Sequence, residues 1–360
     1  MGCGATAHRH DDSVAPRAPA GSVGRVGDAD AANLLGQLLT GDALSQPIAI
    51  VTRLGIPDLL EEGPRTTAEL ALAVGANEDA LHRVLRALTA AGVLGEPAPR
   101  TFALTPVSAL LRRGVLGSMH AYAVVAAAPW RAAAHALMHT VRTGQPAFEH
   151  MFGTTLYEYL SRHPEEAAAF DAVQAAHWPL LDVLPACGDL SDVRVIVDVG
   201  GGRGALLATL LAGLPEARGV VVDLPSACEG ARALLREAGL EARAEFVAGD
   251  FFESVPRGGD VYLLAFVLHN WDDARASRVL ERCREAMALE ARLLVVENLL
   301  PETGAAGFEA MLDVEMMIYT AGGRERTQAE YRALLARAGL TLARSAPMNG
   351  ALHVLEARSA

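Results

Sequence analysis

The run Val197-Asp198-Val199-Gly200-Gly201-Gly202-Arg203-Gly204 ends a short apolar stretch in glycines, and Ala205 to Leu211 behind it reads as a helix. A strand that feeds a helix through glycines is a loop for a nucleotide-type cofactor. Without β-carbons a ligand can lie against the backbone, and the helix start offers free N–H groups. Taken alone the loop is ambiguous. Gly200-x-Gly202-x-x-Ala205 also satisfies the loose dinucleotide pattern, and a tight turn with no ligand looks the same. Three acids narrow the choice. Asp198 lies two residues before Gly200, Asp223 ends the next apolar run 23 residues after Gly200, and Asp250 ends the third in Gly249-Asp250-Phe251-Phe252. A carboxylate at Asp223 can accept ribose hydroxyls of either cofactor. One at Asp250 can take an adenine amino group while Phe251 packs the ring face. Acids closing three successive strands suit a cationic sulfonium and an ammonium, and they repel a pyrophosphate. The residues therefore favour S-adenosyl-L-methionine over a dinucleotide.

These residues need a sheet to converge. From Val193 the sequence alternates short apolar runs with helical stretches. Strands are expected at 193–199, 219–223, 244–247, 261–267 and 292–297. Helices are expected between them at 205–211, 227–238 and 273–288. That rhythm predicts a doubly wound, Rossmann-like α/β sheet. Thr341–Ala343 and Leu352–Ala357 can close it as a hairpin.

The first half reads as helical. Thr66-Thr67-Ala68-Glu69 is a capping box, and Asn77 can cap a second helix whose Leu81, Val84, Leu85 and Leu88 share one face. Thr101–Thr105 follows as a strand. Helix, turn, helix and strand pair is a winged-helix pattern. A DNA reader would want a basic second helix, but this one carries Glu78, Asp79, His82, Arg83 and Arg86, a mixed set. The same module can serve as a dimer interface. The expected organisation is an arm over residues 1–28, a helical winged-helix dimerisation and substrate-cap domain over 29–187, and the cofactor domain over 188–360.

Composition bounds the alternatives. The 360 residues are 51% hydrophobic and 21% charged, enough for a sizeable core, and the formal net charge of -12 disfavours a broad nucleic-acid surface. All basic charge is arginine. Cys3, Cys187, Cys228 and Cys283 have no metal-ligand spacing and read as reduced thiols in a cytoplasmic protein. The start lacks the apolar segment of a signal peptide, and no apolar run is long enough to span a membrane.

Six segments, in order, resemble the small-molecule O-methyltransferases typified by plant caffeate and flavonoid enzymes and their bacterial natural-product relatives. They are 197–206, Val222-Asp223-Leu224-Pro225, Gly249-Asp250-Phe251-Phe252, Leu268-His269-Asn270-Trp271-Asp272-Asp273, Val296-Glu297 and Gly322-Gly323-Arg324-Glu325-Arg326-Thr327. The resemblance extends through the winged-helix half. It implies that His269 is the general base, that Glu297 and Glu325 flank and hold its ring, and that Gly200, Gly202, Asp223, Asp250 and Phe251 contact the cofactor, with Trp271 near the adenine. It also implies that Asp313, Met316, Met317 and Thr320 face a small aromatic substrate, with Trp130, His135, Phe148, Phe152 and Trp178 walling the other side or forming core. Two departures stand out: Ala265 replaces a lysine of the plant members, and Asn270 replaces an acid, which makes the surroundings of His269 less negative.

The expected reaction is methylation of a phenolic or quinonoid hydroxyl of a natural product by a homodimer, without metal. A relative that hydroxylates or decarboxylates with the same cofactor is one alternative, against which the retained His269 counts. A winged-helix DNA-binding regulator is another, against which the acidic balance counts.

Overall fold

The computed structural model describes residues 1, 28–115, 117–176, 183–304 and 307–360. The expected arm, except its two end residues, and Trp178 lie outside the described residues. The chain packs as two units, Met1–Ala43 and Leu44–Ala360. The first holds the helix Asp28–Leu39. Leu34, Leu35, Leu38 and Leu39 on it are each more than half exposed.

In the second unit, the helices Thr67–Val74 and Glu78–Ala90 form where their caps predict. Thr66 accepts a hydrogen bond from the Glu69 N–H while Glu69 accepts one from the Thr66 N–H, closing the capping box. Gly75, at φ 65°, turns the chain, and the Asn77 side chain accepts from the Ala80 N–H. Leu81, Leu85 and Leu88 bury the shared face. An antiparallel pair, Leu94–Ala98 and Thr101–Leu104, follows, with Arg65–Thr66 as a third short strand.

The second half is built on a mixed sheet. Its strands are β1 Val195–Val199, β2 Arg218–Asp223, β3 Ala244–Ala248, β4 Val261–Ala265, β5 Arg292–Leu300, β6 Leu340–Asn349 and β7 Leu352–Ser359. The order is β6-β7-β5-β4-β1-β2-β3, with β1 to β5 parallel and β7 antiparallel to both neighbours. The central strands are apolar runs because both faces are covered. On β5, Leu293 and Val295 enter one core with Tyr262 and Leu264, while Leu294 and Val296 enter the other with Leu263. The chain leaves β1 towards β3 and returns on the other side at β4. Parallel sheets bind ligands at the carboxyl ends beside such a reversal, and Asp198, Gly200 and His269 all lie there.

Most boundaries fall within three residues of expectation, and two differences stand out. The closing hairpin is longer than its two apolar cores suggested. Strand β4 stops at Ala265 instead of Val267, because Phe266 takes φ 53°. That left-handed conformation costs a non-glycine residue about 1–2 kcal/mol and turns the chain out of the sheet just before His269.

Candidate active site

The glycine loop is shaped by close approach. Gly200 stands at φ 72° with Val267 and Phe251 against the position a β-carbon would take, 2.8 and 3.4 Å away. A β-carbon on Gly201 would fall 2.5 Å from the Asp198 carboxyl carbon. Asp198 is buried and both its carboxylate oxygens lack a partner. Burial, and then the charge of Asp223, pushes its carboxyl up to about 7. Asp223 accepts hydrogen bonds from the Gly202 N–H at 2.8 Å and the Leu224 N–H at 2.7 Å. Its pKa is raised by burial against these two bonds.

Beside the loop, Phe251, Phe252 and Trp271 form an aromatic group. Phe252 and Trp271 meet edge to face at 4.8 Å, and Phe251 and Trp271 lie 6.3 Å apart. Asp250 is exposed, and its carboxylate accepts from the Phe252 N–H at 2.8 Å.

His269 sits in the short turn Leu268–Asn270 between β4 and the helix Asp273–Ala286. Its Nδ1 is 2.9 Å from Glu325 Oε1 and 3.7 Å from Glu297 Oε2, and both glutamate side chains are fully buried. Strand alternation puts Glu297 on the same face of β5 as Leu293 and Val295, under the turn. There its Oε1 accepts from the Leu268 N–H at 2.9 Å and the His269 N–H at 3.3 Å. Glu325 precedes the two-residue strand Arg326–Thr327, which pairs with β5 at Leu299 and Leu300. Its backbone N–H donates to Asp313 at 2.8 Å.

Burial disfavours a charged imidazole, but the Glu297 charge and the Glu325 hydrogen bond and charge outweigh it, so the His269 pKa lies above its ordinary 6.5. Arg326 pulls the other way. Burial pushes the Glu297 carboxyl up, against the pull of His269. Asn270 does not decide this balance. Its side-chain N–H donates to the carbonyl of the strained Phe266 at 2.9 Å, a bond that an ionised acid could not make. His269, Glu297 and Glu325 are also the one group among the described residues whose metal-ligand atoms all lie within 4.8 Å of one another.

The expected substrate residues divide. Met316 and Met317 are half-buried on the helix Phe308–Tyr319. Asp313 supports the Glu325 backbone, and the Thr320 hydroxyl donates to Met316 O at 2.7 Å. Trp130 and Phe148 are core, with Trp130 edge-on to Tyr319 at 5.2 Å. Phe152 stacks on Phe148 at 4.6 Å, and His135 is exposed.

Residues 134–341 match the model of the O-methyltransferase domain, and residues 37–114 match that of the O-methyltransferase dimerisation domain. The chain belongs to the O-methyltransferase family. It is 38% identical to phenazine O-methyltransferase PhzM of Lysobacter antibioticus over 93% of this chain and 98% of that one. The crystal structure of LaPhzM superposes with a TM-score of 0.86 at 38% identity, over 92% of this chain and 99% of that chain. The O-methyltransferase NcsB1 from neocarzinostatin biosynthesis, solved with S-adenosylmethionine and 2-hydroxy-5-methyl naphthoic acid, superposes at 0.76 with 32% identity over 88% and 96%.

The cofactor of this methyltransferase is S-adenosylmethionine, and the loop fits it. The buried Asp198 carboxyl, whose oxygens have no partner, and the Asp223 carboxyl beside it offer acceptors to a cation carrying N–H donors, whose charge would favour their ionised forms, and they oppose a pyrophosphate. Val267, Phe251 and Asp198 crowd Gly200 and Gly201 so closely that neither position has room for a side chain.

Two residues beyond the sequence reading lie within electrostatic reach of Asp223. Tyr157, on the helix Leu156–Arg162, and Asp171, on the helix Pro164–Ala176, both feel the Asp223 charge. Burial and then Asp223 push the Asp171 carboxyl up, against the pull of Arg203. Their distance along the chain from Asp223 hid them, because no local pattern links a helical segment to a strand end so far away.

Proposed function

We propose that the chain methylates a phenolic or quinonoid hydroxyl of a small natural product, with His269 as the general base. Gly200, Gly202, Asp223, Asp250 and Phe251 hold the cofactor, with Trp271 beside them. Bound there, S-adenosylmethionine supplies an electrophilic methyl group on a cationic sulfur. Met316, Met317, Phe152, Asp313 and Thr320 border the acceptor. The observation that carries the reading is the buried His269–Glu325 pair at 2.9 Å with Glu297 beneath the same turn.

An ionised carboxylate only accepts, so Nδ1 carries a proton and donates it to Glu325. That leaves the Nε2 lone pair to receive the acceptor's proton. A phenol with a pKa of about 10 and a histidine of about 6.5 differ by about 3.5 units, on the order of 5 kcal/mol. Glu325 and Glu297 narrow that gap by stabilising the imidazolium as it forms. A phenol conjugated to a quinone narrows it further.

The homodimer forms through the helical half, residues 29–187, and the cofactor half is residues 188–360. The dimerisation-domain match and the exposed leucines of Asp28–Leu39 support the first. The placement of every strand of the mixed sheet after Gly188 supports the second. Among the described residues no helix is long and apolar enough to cross a membrane. The described cysteines, Cys187, Cys228 and Cys283, are free, which supports a cytoplasmic location. The mixed charge of Glu78–Ala90 gives nucleic acid no basic surface.

Incubation with labelled S-adenosylmethionine and a panel of phenols, naphthols and hydroxyquinones tests the reaction. The expected product is heavier by one methylene. A product heavier by one oxygen, or no transfer to any phenol despite tight cofactor binding, contradicts it.

A further inference from the structure

Arg326 is the largest fully buried side chain among the described residues, at 1% exposure. A guanidinium keeps its charge in proteins, and burying it costs several kcal/mol unless its donors are satisfied. Its donors divide between the turn that carries His269, Asp273 and the Arg324 carbonyl. Nη1 donates to Leu268 O at 3.0 Å and Nη2 to Trp271 O at 2.8 Å. Nε and Nη2 reach Asp273 Oδ1 at 3.1 and 3.0 Å. The two carbonyls bracket His269 and Asn270. The carbonyl of His269 itself accepts from the Arg324 N–H at 2.8 Å. A β-carbon on Gly323 would stand 2.6 Å from that same carbonyl. One short segment, residues 323–326, therefore grips the backbone of the turn, while Glu325 in its middle holds the imidazole.

The ion pair alone does not account for this burial. Asp273 is 41% exposed and also serves Arg337 at 3.3 Å, and a half-exposed carboxylate repays little of a guanidinium's desolvation. The carbonyl contacts explain it better. The turn needs holding because it leaves β4 through Phe266 at φ 53°, and strained backbone persists only where its surroundings fix it.

We propose that Arg326 is a positioning residue for proton transfer: its planar fork fixes the Leu268–Trp271 turn so that the His269 ring stays registered on Glu325. The proposal rests on the reading of His269 as the base. The fork matters because lysine carries the same charge without a fixed plane of donors.

The charged and titratable groups around His269 are Glu297 on β5, Glu325 beside Arg326, Asp313 on the helix Phe308–Tyr319, Asp273 on the helix Asp273–Ala286, and Tyr331 on the helix Gln328–Arg337. The Tyr331 ring lies 5.9 Å from the Arg326 guanidinium carbon. Arg326 opposes the carboxylates' upward push on His269, so charge and geometry make separable predictions.

Arg326→Lys and Arg326→Met are compared with the natural enzyme, with His269→Ala in parallel, on an acceptor identified from the phenol panel. Arg326→Lys keeps the charge and loses the fork. It should lower kcat about tenfold or more, with the cofactor KM within about threefold and the acid limb of the pH profile in place. Arg326→Met should lower kcat similarly and move the acid limb to higher pH, because the carboxylates then act unopposed. The downfield Nδ1–H resonance of His269 in the NMR spectrum should weaken in both. Plateau kcat values within about twofold of the natural enzyme, with only the melting temperature lowered, would overturn the proposal and leave Arg326 a purely structural residue.

Should both variants fail to fold, Asp273→Asn carries the test. It weakens the carboxylate arm and leaves both carbonyl bonds, so kcat should stay within about threefold. A tenfold loss there would overturn the proposal, since the ion pair would then set the turn. If His269→Ala keeps its turnover, the base assignment fails whatever Arg326 does.

Discussion

Glu325→Gln isolates the charge beside His269. The glutamine oxygen can still accept the Nδ1 proton, so the 2.9 Å contact survives and only the ionic component is lost. At that distance two unit charges in a medium of effective dielectric constant about 20 interact by about 6 kcal/mol, a ceiling rather than a net value. A hydrogen bond to a charged group exceeds a neutral one by about 1–1.5 kcal/mol, so kcat on the plateau should fall about five- to thirteenfold. An opposite charge this close favours the protonated ring. Glu297, 3.7 Å from Nδ1, keeps part of that effect when the Glu325 charge is removed.

The sign follows from the role. The base works as neutral imidazole, so activity rises with pH through the raised His269 value. Removing the Glu325 charge lowers that value and carries the acid limb to lower pH. The limb belongs to the His269–Glu297–Glu325 cluster as a whole. The assay is kcat from about pH 5 to pH 9 with both substrates saturating. A limb that stays or moves up, or a plateau that does not fall, would show that the Glu325 charge does not stabilise the imidazolium.

Asp223→Asn leaves one acceptor oxygen for the two N–H groups of Gly202 and Leu224. Cofactor Kd by calorimetry should rise about ten- to a hundredfold, and a change under twofold would remove Asp223 from the cradle. Thr66→Ala removes the capping box of Thr67–Val74. Urea unfolding should show a loss of about 0.5–2 kcal/mol, with kcat unchanged; an equal loss of turnover would tie that helix to the chemistry.

Local patterns carried much of the fold. Thr66 to Glu69 and Asn77 announce their helices because a cap is a short-range hydrogen bond between residues a turn apart. The central strands are legible as apolar runs because both faces of a parallel sheet are covered. The end of β4 was not legible, since a phenylalanine at φ 53° is imposed by tertiary packing against residue preference. The glycine loop and Asp223 could be read from spacing. The meeting of His269, Glu297 and Glu325 could not, because they come from three separate strand ends and turns; only the family resemblance linked them. Arg326 looks in the sequence like one more solvated charge between Glu325 and Thr327. Its burial appears only when the carbonyls of Leu268 and Trp271 are placed. Asp313 adds a contact that no local pattern announces: family position points it at substrate, and its carboxylate also accepts from the Glu325 N–H.

His269→Ala, measured for cofactor binding and methyl transfer in the same preparation, tests the general base most directly. Cofactor Kd should stay within about threefold, since the cradle of Asp198, Gly200 and Asp223 is untouched. Transfer from labelled S-adenosylmethionine to the phenolic acceptor should fall by about a hundred- to ten-thousandfold, the usual contribution of a general base. Transfer at the natural rate with intact cofactor binding would contradict the account.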